Sequence, residues 1–246
     1  MSRVLGMLTA VLCYFAFFAA FAYFVGFLAG IPELPTNIDK GLVAPAPVAA
    51  VIDVALIAFF GIQHSVMARS GFKAAWTRIV PVQLERSVYC LGAAVALAIL
   101  FAFWHPIDRM VWNVTSPAGQ IVLWALFLGG IGVVFISTWL INHFELFGLA
   151  QAWSHVRNAP MPDPRFVTPL FYRAVRHPIY TGFFIALWAT PHMTAGHVLF
   201  AAGMTVYLLI GIRYEERDLV KRFGSTYVEY RASVGMIIPG VGRRTP

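Results

Sequence analysis

The sequence predicts an all-α integral membrane protein with about five to six transmembrane helices. Apolar residues make up 59% of the 246-residue chain, charged residues only 12%, and the mean hydropathy is +0.73. A soluble domain of this length carries about twice that share of charge. The apolar residues also occur in long unbroken runs, which are typical of membrane helices and not of the short alternating strands of a β-barrel.

The first four apolar runs each have a length suited to one membrane helix. The first is too long for the apolar region of a cleaved signal peptide, and no small-residue cleavage site follows it. The four runs are Val4–Leu28, Pro47–Val66, Val88–Trp104 and Gly119–Ile141.

The fifth apolar run, Ile179–Ile212, is too long for one span, because as a single helix it would measure about 51 Å against a hydrocarbon core of about 30 Å. The segment TPHMTAGH (Thr190–His197) interrupts it. We therefore expect a C-terminal helical hairpin with a short arm at Pro178–Ala189, a turn at Pro191 and a return arm at Gly196–Ile212.

The distribution of basic residues predicts the orientation. Of the 18 Lys and Arg residues, all except Lys40 and Arg109 fall on one side of the predicted helices. Because cytoplasmic loops carry the excess of Lys and Arg, we expect a multi-pass protein of the cell inner membrane with both termini in the cytoplasm. The net charge of +7 then reflects membrane topology and gives no reason to expect a nucleic-acid partner. No separate soluble domain is evident, so residues 1–246 are predicted to form a single polytopic membrane domain with a cytoplasmic C-terminal segment.

Several kinds of site lack a sequence signature. Cys13 and Cys90 both lie inside predicted spans, so we expect packing residues and no disulfide. The absence of HExxH, CxxC and His-x3-His spacings means that no metal is expected. No P-loop occurs, and no GxGxxG follows a strand, so a nucleotide-like cofactor would bind without a Rossmann unit.

The stretch YRAVRHPIYTGFF (Tyr172–Phe184) places two arginines and a histidine before a proline and an apolar run. Pro178 fits the first position of a helix, where its missing N–H costs nothing. Arg176 and His177 precede Tyr180 by four and three residues, so these side chains share one helix face. The free N–H groups of the new helix favour an anion such as a carboxylate. Alternatively, the arginines follow the positive-inside rule and the tyrosine belongs to the aromatic belt.

Two adjacent acids, Glu215 and Glu216, follow the return arm in RYEERDLVKRFGSTYVEYR (Arg213–Arg231), against the local excess of basic residues. They face different sides of a helix, so only one can pair with a given neighbour. We expect one to pair with Arg176 or Arg217 and the other to accept hydrogen bonds from a ligand. The alternative is a solvated interfacial helix with surface salt bridges.

Two histidines are candidates for acid–base chemistry. INHFELFGL (Ile141–Leu149) contains His143 and Glu145, which lie on different faces unless the helix has already ended. A histidine near a glutamate fits a general base with its orienting partner. His64 lies near the cytoplasmic end of the second span, and a histidine within a membrane is a functional candidate. The alternatives are an interfacial His143 with Glu145 paired to an arginine, and a His64 that only contacts other helices.

Three separated motifs carry a family resemblance. VRHPIYTGF, then EERDL about 35 residues later, then FGSTYVEYRASVGMIIP resemble the C-terminal region of the isoprenylcysteine carboxyl methyltransferase and phospholipid methyltransferase superfamily, over about 171–239. IQHSVMARSGFKAAWTRIVPVQLERSVY and INHFELFGLAQAW are similar to the bacterial membrane-bound methanethiol S-methyltransferases, which sit beside the NnrU-like proteins.

The resemblance implies S-adenosylmethionine as methyl donor and methanethiol as acceptor, with dimethyl sulfide and S-adenosylhomocysteine as products. It implies that the His-Pro-x-Tyr and Glu-Glu regions enclose the cofactor. Since a simple thiol is mostly protonated at neutral pH, a base near the sulfur would help, and the candidates are His143 and His64 with Glu145 as orienting partner. The implied cofactor-binding residues are Arg176, His177, Pro178, Tyr180, Glu215 and Glu216.

Two other functions stay open at this point. Relatives with the same C-terminal motifs methylate prenylcysteine carboxylates or lipid amines, so another lipophilic acceptor is an alternative within the enzymes. A non-catalytic NnrU-like membrane protein is the alternative outside them. The expected partners are a small thiol and the lipid bilayer; the sequence does not give the oligomeric state.

Overall fold

The computed structural model describes residues 2–161, 163 and 165–243, and within them the chain is mainly helical. Two short strands, β1 (Met110–Asn113) and β2 (His192–Thr194), form a two-stranded sheet. The helices are α1 (Arg3–Leu28), α2 (Ala46–Met67), α3 (Ser70–Trp76), α4 (Glu85–Ala102), α5 (Pro117–Ile141), α6 (His143–Leu146), α7 (Leu149–Arg157), α8 (Pro178–Trp188), α9 (Ala195–Phe223) and α10 (Ser225–Ser233), with 3₁₀ turns at Val82–Leu84 and Leu170–Arg173.

Five of the described helices are long and apolar enough to cross a membrane: α1, α2, α4 together with the 3₁₀ turn before it, α5 and α9. Helix α8 is apolar but has only 11 residues, so at about 1.5 Å per residue it covers roughly half of a hydrocarbon core. The protein is therefore a multi-pass membrane protein. The prediction of five to six membrane helices with a C-terminal hairpin is confirmed.

The hairpin turns where the sequence predicts, but its return arm is longer. Helix α8 ends at Trp188 and α9 begins at Ala195, with Pro191 between them. Helix α9 does not stop at Ile212, because neither glycine nor proline occurs in 213–223. Gly224, with φ of +57°, follows the last helical residue. The Glu-Glu pair thus lies within a helix instead of at its end.

The contacts between Cα atoms divide the chain into two compact units. Unit 1 holds α1 to α4, α6, α7 and the segment Thr194–Gly203; unit 2 holds α5, α8, the rest of α9 and α10. Of the basic residues counted above, Arg244 lies outside the described part of the chain.

In unit 1, α4 packs between α1 and α2, and α7 packs on α1. The fully buried Trp104 contacts the rings of Phe27 and Phe200 at 5.8 and 5.5 Å between centroids, and its indole N–H donates to the carbonyl of Ile38 at 3.0 Å. The loops that follow α1 and α4 therefore meet at one end of this unit, as alternating spans require. Both cysteines are buried and free, and Cys90 packs in a core cluster with Tyr89 and Phe147.

In unit 2, α5 and α8 approach each other closely at two glycines. A Cβ atom built on Gly182 would lie 2.4 Å from the carbonyl oxygen of Gly130, and one built on Gly130 would lie 2.6 Å from the carbonyl oxygen of Gly182. Small residues at such a crossing let two membrane helices pack backbone to backbone. This contact fixes the short helix α8 on a full-length neighbour.

Candidate active site

Arg176 and Glu216 form a buried ion pair in unit 2. The Nε–H of Arg176 donates to Oε1 of Glu216 at 2.8 Å, and Nη2 lies 2.8 Å from the same oxygen. The exposed fractions of the two side chains are 0% and 3%. Glu216 is therefore the member of the Glu-Glu pair that binds an arginine, and its partner is Arg176.

The rest of the Arg176 guanidinium binds the C-terminal segment. Nη1 donates to the carbonyl oxygens of Arg231, at 3.1 Å, and Val234, and Nη2 donates to that of Gly242 at 3.1 Å. A guanidinium has five N–H donors, and these contacts together with Glu216 engage all of them. The family resemblance implies that Arg176 binds the cofactor, and in the structure the N–H groups of this arginine bind oxygen atoms of the protein.

His177 lies between the two acids. It is buried, its Nε2 is 3.4 Å from Oε1 of Glu216, and its Nδ1 is 3.7 Å from Oε2 of Glu215. The Glu215 side chain is 44% exposed, in contrast to Glu216. The two acids therefore face different sides of α9, one toward a buried ion pair and one toward open space.

Helix α8 begins at Pro178, with His177 as its N-terminal cap residue, as the sequence predicts. The rings of His177 and Tyr180 are 5.5 Å apart in an edge-to-face contact. A Cβ atom on Gly211 of α9 would lie 3.7 Å from the Tyr180 hydroxyl oxygen, so this tyrosine reaches α9. The structure thus brings together all six residues predicted to bind the cofactor, within unit 2.

Three tyrosines that were not predicted as site residues, Tyr172, Tyr227 and Tyr230, lie beside this cluster. The hydroxyl of Tyr230 donates to the carbonyl oxygen of Tyr172, and Tyr227 contacts Tyr230 at 5.9 Å between ring centroids. Burial raises the pKa of all three phenols, that of Tyr230 to about 12, so they stay protonated donors at neutral pH. Tyr227 and Tyr230 lie in the third motif, where the two tyrosines of TYVEYR fall three residues apart, and Tyr172 begins the stretch YRAVRHPIYTGFF.

The two candidate bases lie in unit 1, and each is hydrogen-bonded to a tyrosine. Nε2 of His64 in α2 is 2.6 Å from the hydroxyl of Tyr89 in α4. Nε2 of His143 in α6 is 2.8 Å from the hydroxyl of Tyr14 in α1. Tyr89 belongs to a core cluster with Cys90 and Phe147, on which Tyr14 also packs, so both pairs border the same group of side chains.

His143 and Glu145 belong to a separate helical turn. Helix α5 ends at Ile141, and Asn142 takes a left-handed conformation with φ of 97°. The Asn142 amide then donates to Oε2 of Glu145 at 2.8 Å. The hydrogen bonds of this turn therefore connect Glu145 to Asn142 and His143 to Tyr14. Burial lowers the pKa of His143, which favours the neutral imidazole.

Among the residues that the structure describes, no group of three or more His, Cys, Asp or Glu side chains is arranged to hold a metal ion. The comparison with solved structures gives no match.

Comparisons with known sequences give a consistent result. The family model described as "Isoprenylcysteine carboxyl methyltransferase (ICMT) family" matches residues 130–221. The methanethiol S-methyltransferase of Mycobacterium tuberculosis is 46% identical over 245 residues, which is 100% of both chains. That of a Pseudomonas strain, GM41(2012), is 47% identical over 97% of this chain and 91% of its own, and that of Crocosphaera subtropica is 44% identical over 100% and 96%.

These matches confirm the resemblance carried by the sequence motifs. They extend along the whole chain, through the α1 to α4 region of unit 1 as well as through the C-terminal motifs. The chain therefore belongs to the family of the methanethiol S-methyltransferases.

Proposed function

We propose that this protein transfers a methyl group from S-adenosylmethionine to methanethiol, which gives dimethyl sulfide and S-adenosylhomocysteine. The observation that carries the proposal is an identity of 44–47% over 97–100% of the chain with relatives that are named methanethiol S-methyltransferases. A likeness confined to the C-terminal motifs would favour methyl transfer in general. A likeness along the full chain favours the same acceptor.

The chemistry of unit 2 fits an S-adenosyl ligand. The exposed carboxylate of Glu215 can accept hydrogen bonds from an ammonium or hydroxyl group, and the first turn of α8 after Pro178 can donate N–H groups to a carboxylate. When bound, S-adenosylmethionine supplies an electrophilic methyl group on a sulfonium. We assign its binding to the α8 start, His177, Tyr180 and Glu215, with Glu216 behind His177.

Arg176 has a positioning role in this proposal. Its guanidinium joins Glu216 of α9 to the carbonyl oxygens of Arg231 and Gly242, so it holds the acidic turn against the C-terminal segment. The α-carboxylate of the ligand then binds the helix N-terminus instead of this arginine. In this proposal Arg176 does not touch the ligand. It holds in place the residues that do.

We propose that a histidine of unit 1, His143 or His64, accepts the proton of the thiol. Methanethiol is mostly protonated at neutral pH, since thiols titrate at about 8.5 or above. A neutral His143 can accept a proton at Nδ1 if its Nε2 carries hydrogen and donates to the Tyr14 hydroxyl oxygen. His64, bonded to Tyr89 in the same manner, is the other candidate. Glu145 shapes the turn that carries His143 through its bond to Asn142.

The surroundings suit this chemistry. Transfer of a methyl group from a sulfonium to a thiolate removes two opposite charges, so a dry, apolar site favours the reaction. Methanethiol is small and apolar, and it can reach a membrane protein through the bilayer. Positioning of the two reactants supplies much of the remaining acceleration.

The charge distribution supports the proposed cellular location. All Lys and Arg residues except Lys40 and Arg109 belong to segments on one side of the predicted spans. This asymmetry supports a protein of the inner membrane with both termini in the cytoplasm, where S-adenosylmethionine is made.

The test is an assay of the purified protein with methyl-labelled S-adenosylmethionine and a panel of acceptors. We expect labelled dimethyl sulfide from methanethiol and little transfer to prenylcysteine or to phospholipid amines. Labelling of a prenylcysteine or lipid amine in preference to methanethiol would assign a different acceptor. Failure to bind S-adenosylhomocysteine in calorimetry would contradict the methyltransferase activity itself.

A further inference from the structure

Tyr227 carries a buried hydroxyl group with no hydrogen-bond partner among the described residues. The residue lies in α10 of unit 2 and is 1% exposed. Buried polar atoms in native proteins are almost always hydrogen-bonded, and exceptions occur where a ligand, ion or water completes the site. The unpartnered hydroxyl therefore indicates a bound group that the polypeptide alone does not supply.

The ring of Tyr227 is firmly held, so its hydroxyl has a defined position. Phe166 packs against it edge to face at 6.0 Å, and Tyr230 lies at 5.9 Å. Tyr230, three residues further along α10, has the same chemistry but donates its hydroxyl to the carbonyl oxygen of Tyr172. Two neighbouring phenols thus differ in one respect: one is satisfied by the protein and the other is not.

The unpartnered hydroxyl belongs to the helix that Arg176 binds. Arg231 follows Tyr227 by about one turn of α10, and its backbone carbonyl oxygen accepts a hydrogen bond from Arg176. Burial raises the pKa of Tyr227 most, the nearby carboxylates of Glu216 and Glu215 raise it further, and the Arg176 guanidinium lowers it. The phenol is therefore a protonated donor beside an acidic cluster.

The Tyr227 hydroxyl and the neighbouring glutamates together limit the kind of ligand group that can bind between them. A carboxylate accepts from the phenol but is repelled by Glu215, whose charge Arg176 does not balance because Arg176 is engaged with Glu216. An ammonium group is attracted by the glutamates but has no lone pair for the phenol. An alcohol meets both demands, because its oxygen accepts from the phenol while its own proton goes to a carboxylate.

We propose that the Tyr227 hydroxyl donates a hydrogen bond to a ribose hydroxyl of the nucleoside ligand, and that the proton of this ribose hydroxyl is accepted by the carboxylate of Glu215. This assignment rests on the proposed function, since it takes the ligand to be an S-adenosyl compound. Tyr227 is then a ligand-binding residue that contacts the ribose, in addition to the residues around the start of α8.

The experiment compares Tyr227→Phe with Tyr230→Phe, two variants that each lose a single hydroxyl. For Tyr227→Phe we expect an unchanged or higher melting temperature without ligand, because no internal hydrogen bond is lost, and S-adenosylhomocysteine binding that is weaker by about three- to tenfold. For Tyr230→Phe we expect the reverse: a lower melting temperature and binding within about twofold of the wild type.

The 2′-deoxy and 3′-deoxy analogues of S-adenosylhomocysteine identify the contacted group. For one of these analogues, the wild type should show a lower affinity than for S-adenosylhomocysteine. The Tyr227→Phe variant should bind that analogue and S-adenosylhomocysteine with equal affinity. If the wild type binds S-adenosylhomocysteine and Tyr227→Phe binds it equally well, the sugar contact is wrong while the proposed function stands. If the wild type does not bind the compound, both fail. A Tyr227→Phe protein that loses stability without ligand would also contradict the inference, because its hydroxyl would then have a structural partner.

Discussion

Arg176 and Glu216 meet at 2.8 Å inside unit 2, although forty residues separate them in the chain. Both side chains are buried, so water does not hydrate the two charges, and hydrogen bonds within the protein must replace that hydration. Such a pair is not a strong source of net stability, but removal of one partner is costly because the other charge stays buried. The contact therefore acts as a fixed joint between the start of α8 and the acidic turn of α9.

The first prediction concerns this joint. Arg176→Ala leaves Glu216 buried without its arginine and releases the carbonyl oxygens of Arg231 and Gly242, so unfolding should require about 3–5 kcal/mol less free energy. Thermal unfolding in detergent measures the loss. The control is Arg173→Ala, which removes an exposed arginine three residues earlier and should change stability by no more than about 0.5 kcal/mol.

A double variant refines the test. If Arg176 and Glu216 act through each other, Arg176→Ala combined with Glu216→Ala should lose clearly less than the sum of the two single losses. Equal stability of Arg176→Ala and Arg173→Ala would show that the buried pair has no structural role.

The second prediction concerns the close packing of α5 and α8. Gly182→Ala places a methyl group 2.4 Å from the carbonyl oxygen of Gly130 and 2.9 Å from the backbone nitrogen of Val134, so the two helices must separate. We expect a loss of about 1–3 kcal/mol, typical of overpacking, and a weaker binding of S-adenosylhomocysteine because α8 moves. Melting temperature and calorimetry report the two effects.

Gly129→Ala is the matched control on α5. A Cβ atom there meets nothing within 4 Å, and alanine favours a helix over glycine by roughly 0.5–1 kcal/mol. This variant should be as stable as the wild type or more so. A Gly182→Ala protein that behaves like Gly129→Ala would mean that the helices are not in backbone contact.

The features that the sequence predicts well are those with a local cause. The apolar runs correspond to helices α1, α2, α4 and α5 because burial in lipid demands a continuous apolar segment. Pro178 begins α8 because only a helix start tolerates its missing N–H. The turn near Pro191 could be located because a proline inside an apolar run interrupts a helix.

The features that the sequence does not predict depend on long-range pairing. The sequence around Arg176 does not indicate that its guanidinium binds Glu216, Arg231 and Gly242, since Gly242 lies 66 residues away. The left-handed Asn142, which separates His143 and Glu145 from α5, is also invisible in a pattern dominated by apolar periodicity. Tyrosine partners such as Tyr14 for His143 join helices far apart in the chain.

The third prediction concerns orientation in the membrane. Cys13 and Cys90 are buried, so single cysteines introduced at exposed sites can be labelled selectively. Val43→Cys, at a position that is 97% exposed, should react with an impermeant maleimide added outside, once the outer membrane is opened. Ala159→Cys, exposed beyond α7, should react only after the inner membrane is permeabilised. The opposite pattern would reverse the orientation inferred from the basic residues.

The last prediction concerns the proton of the thiol. If His143 accepts it, His143→Ala should lower the rate of methanethiol methylation by on the order of 10²–10⁴-fold at neutral pH, the usual range for a positioned base. Because burial lowers the pKa of His143, the wild type should keep its activity as the pH falls toward about 6.5, the ordinary histidine pKa, and lose it only below that value. The variant should instead gain activity steadily as the pH rises, since solution then supplies more thiolate.

Three companion variants decide which histidine is responsible. Tyr14→Phe removes the hydroxyl that orients His143, so a smaller loss with the same pH rescue should follow, while the affinity for S-adenosylhomocysteine stays unchanged. His64→Ala and Tyr89→Phe test the other pair in the same way. A pH-rescued loss in the His64 pair alone would transfer the role to His64. Loss in neither pair would mean that the enzyme binds the small fraction of thiolate already present, and that the tyrosine-bound histidines serve only to pack unit 1.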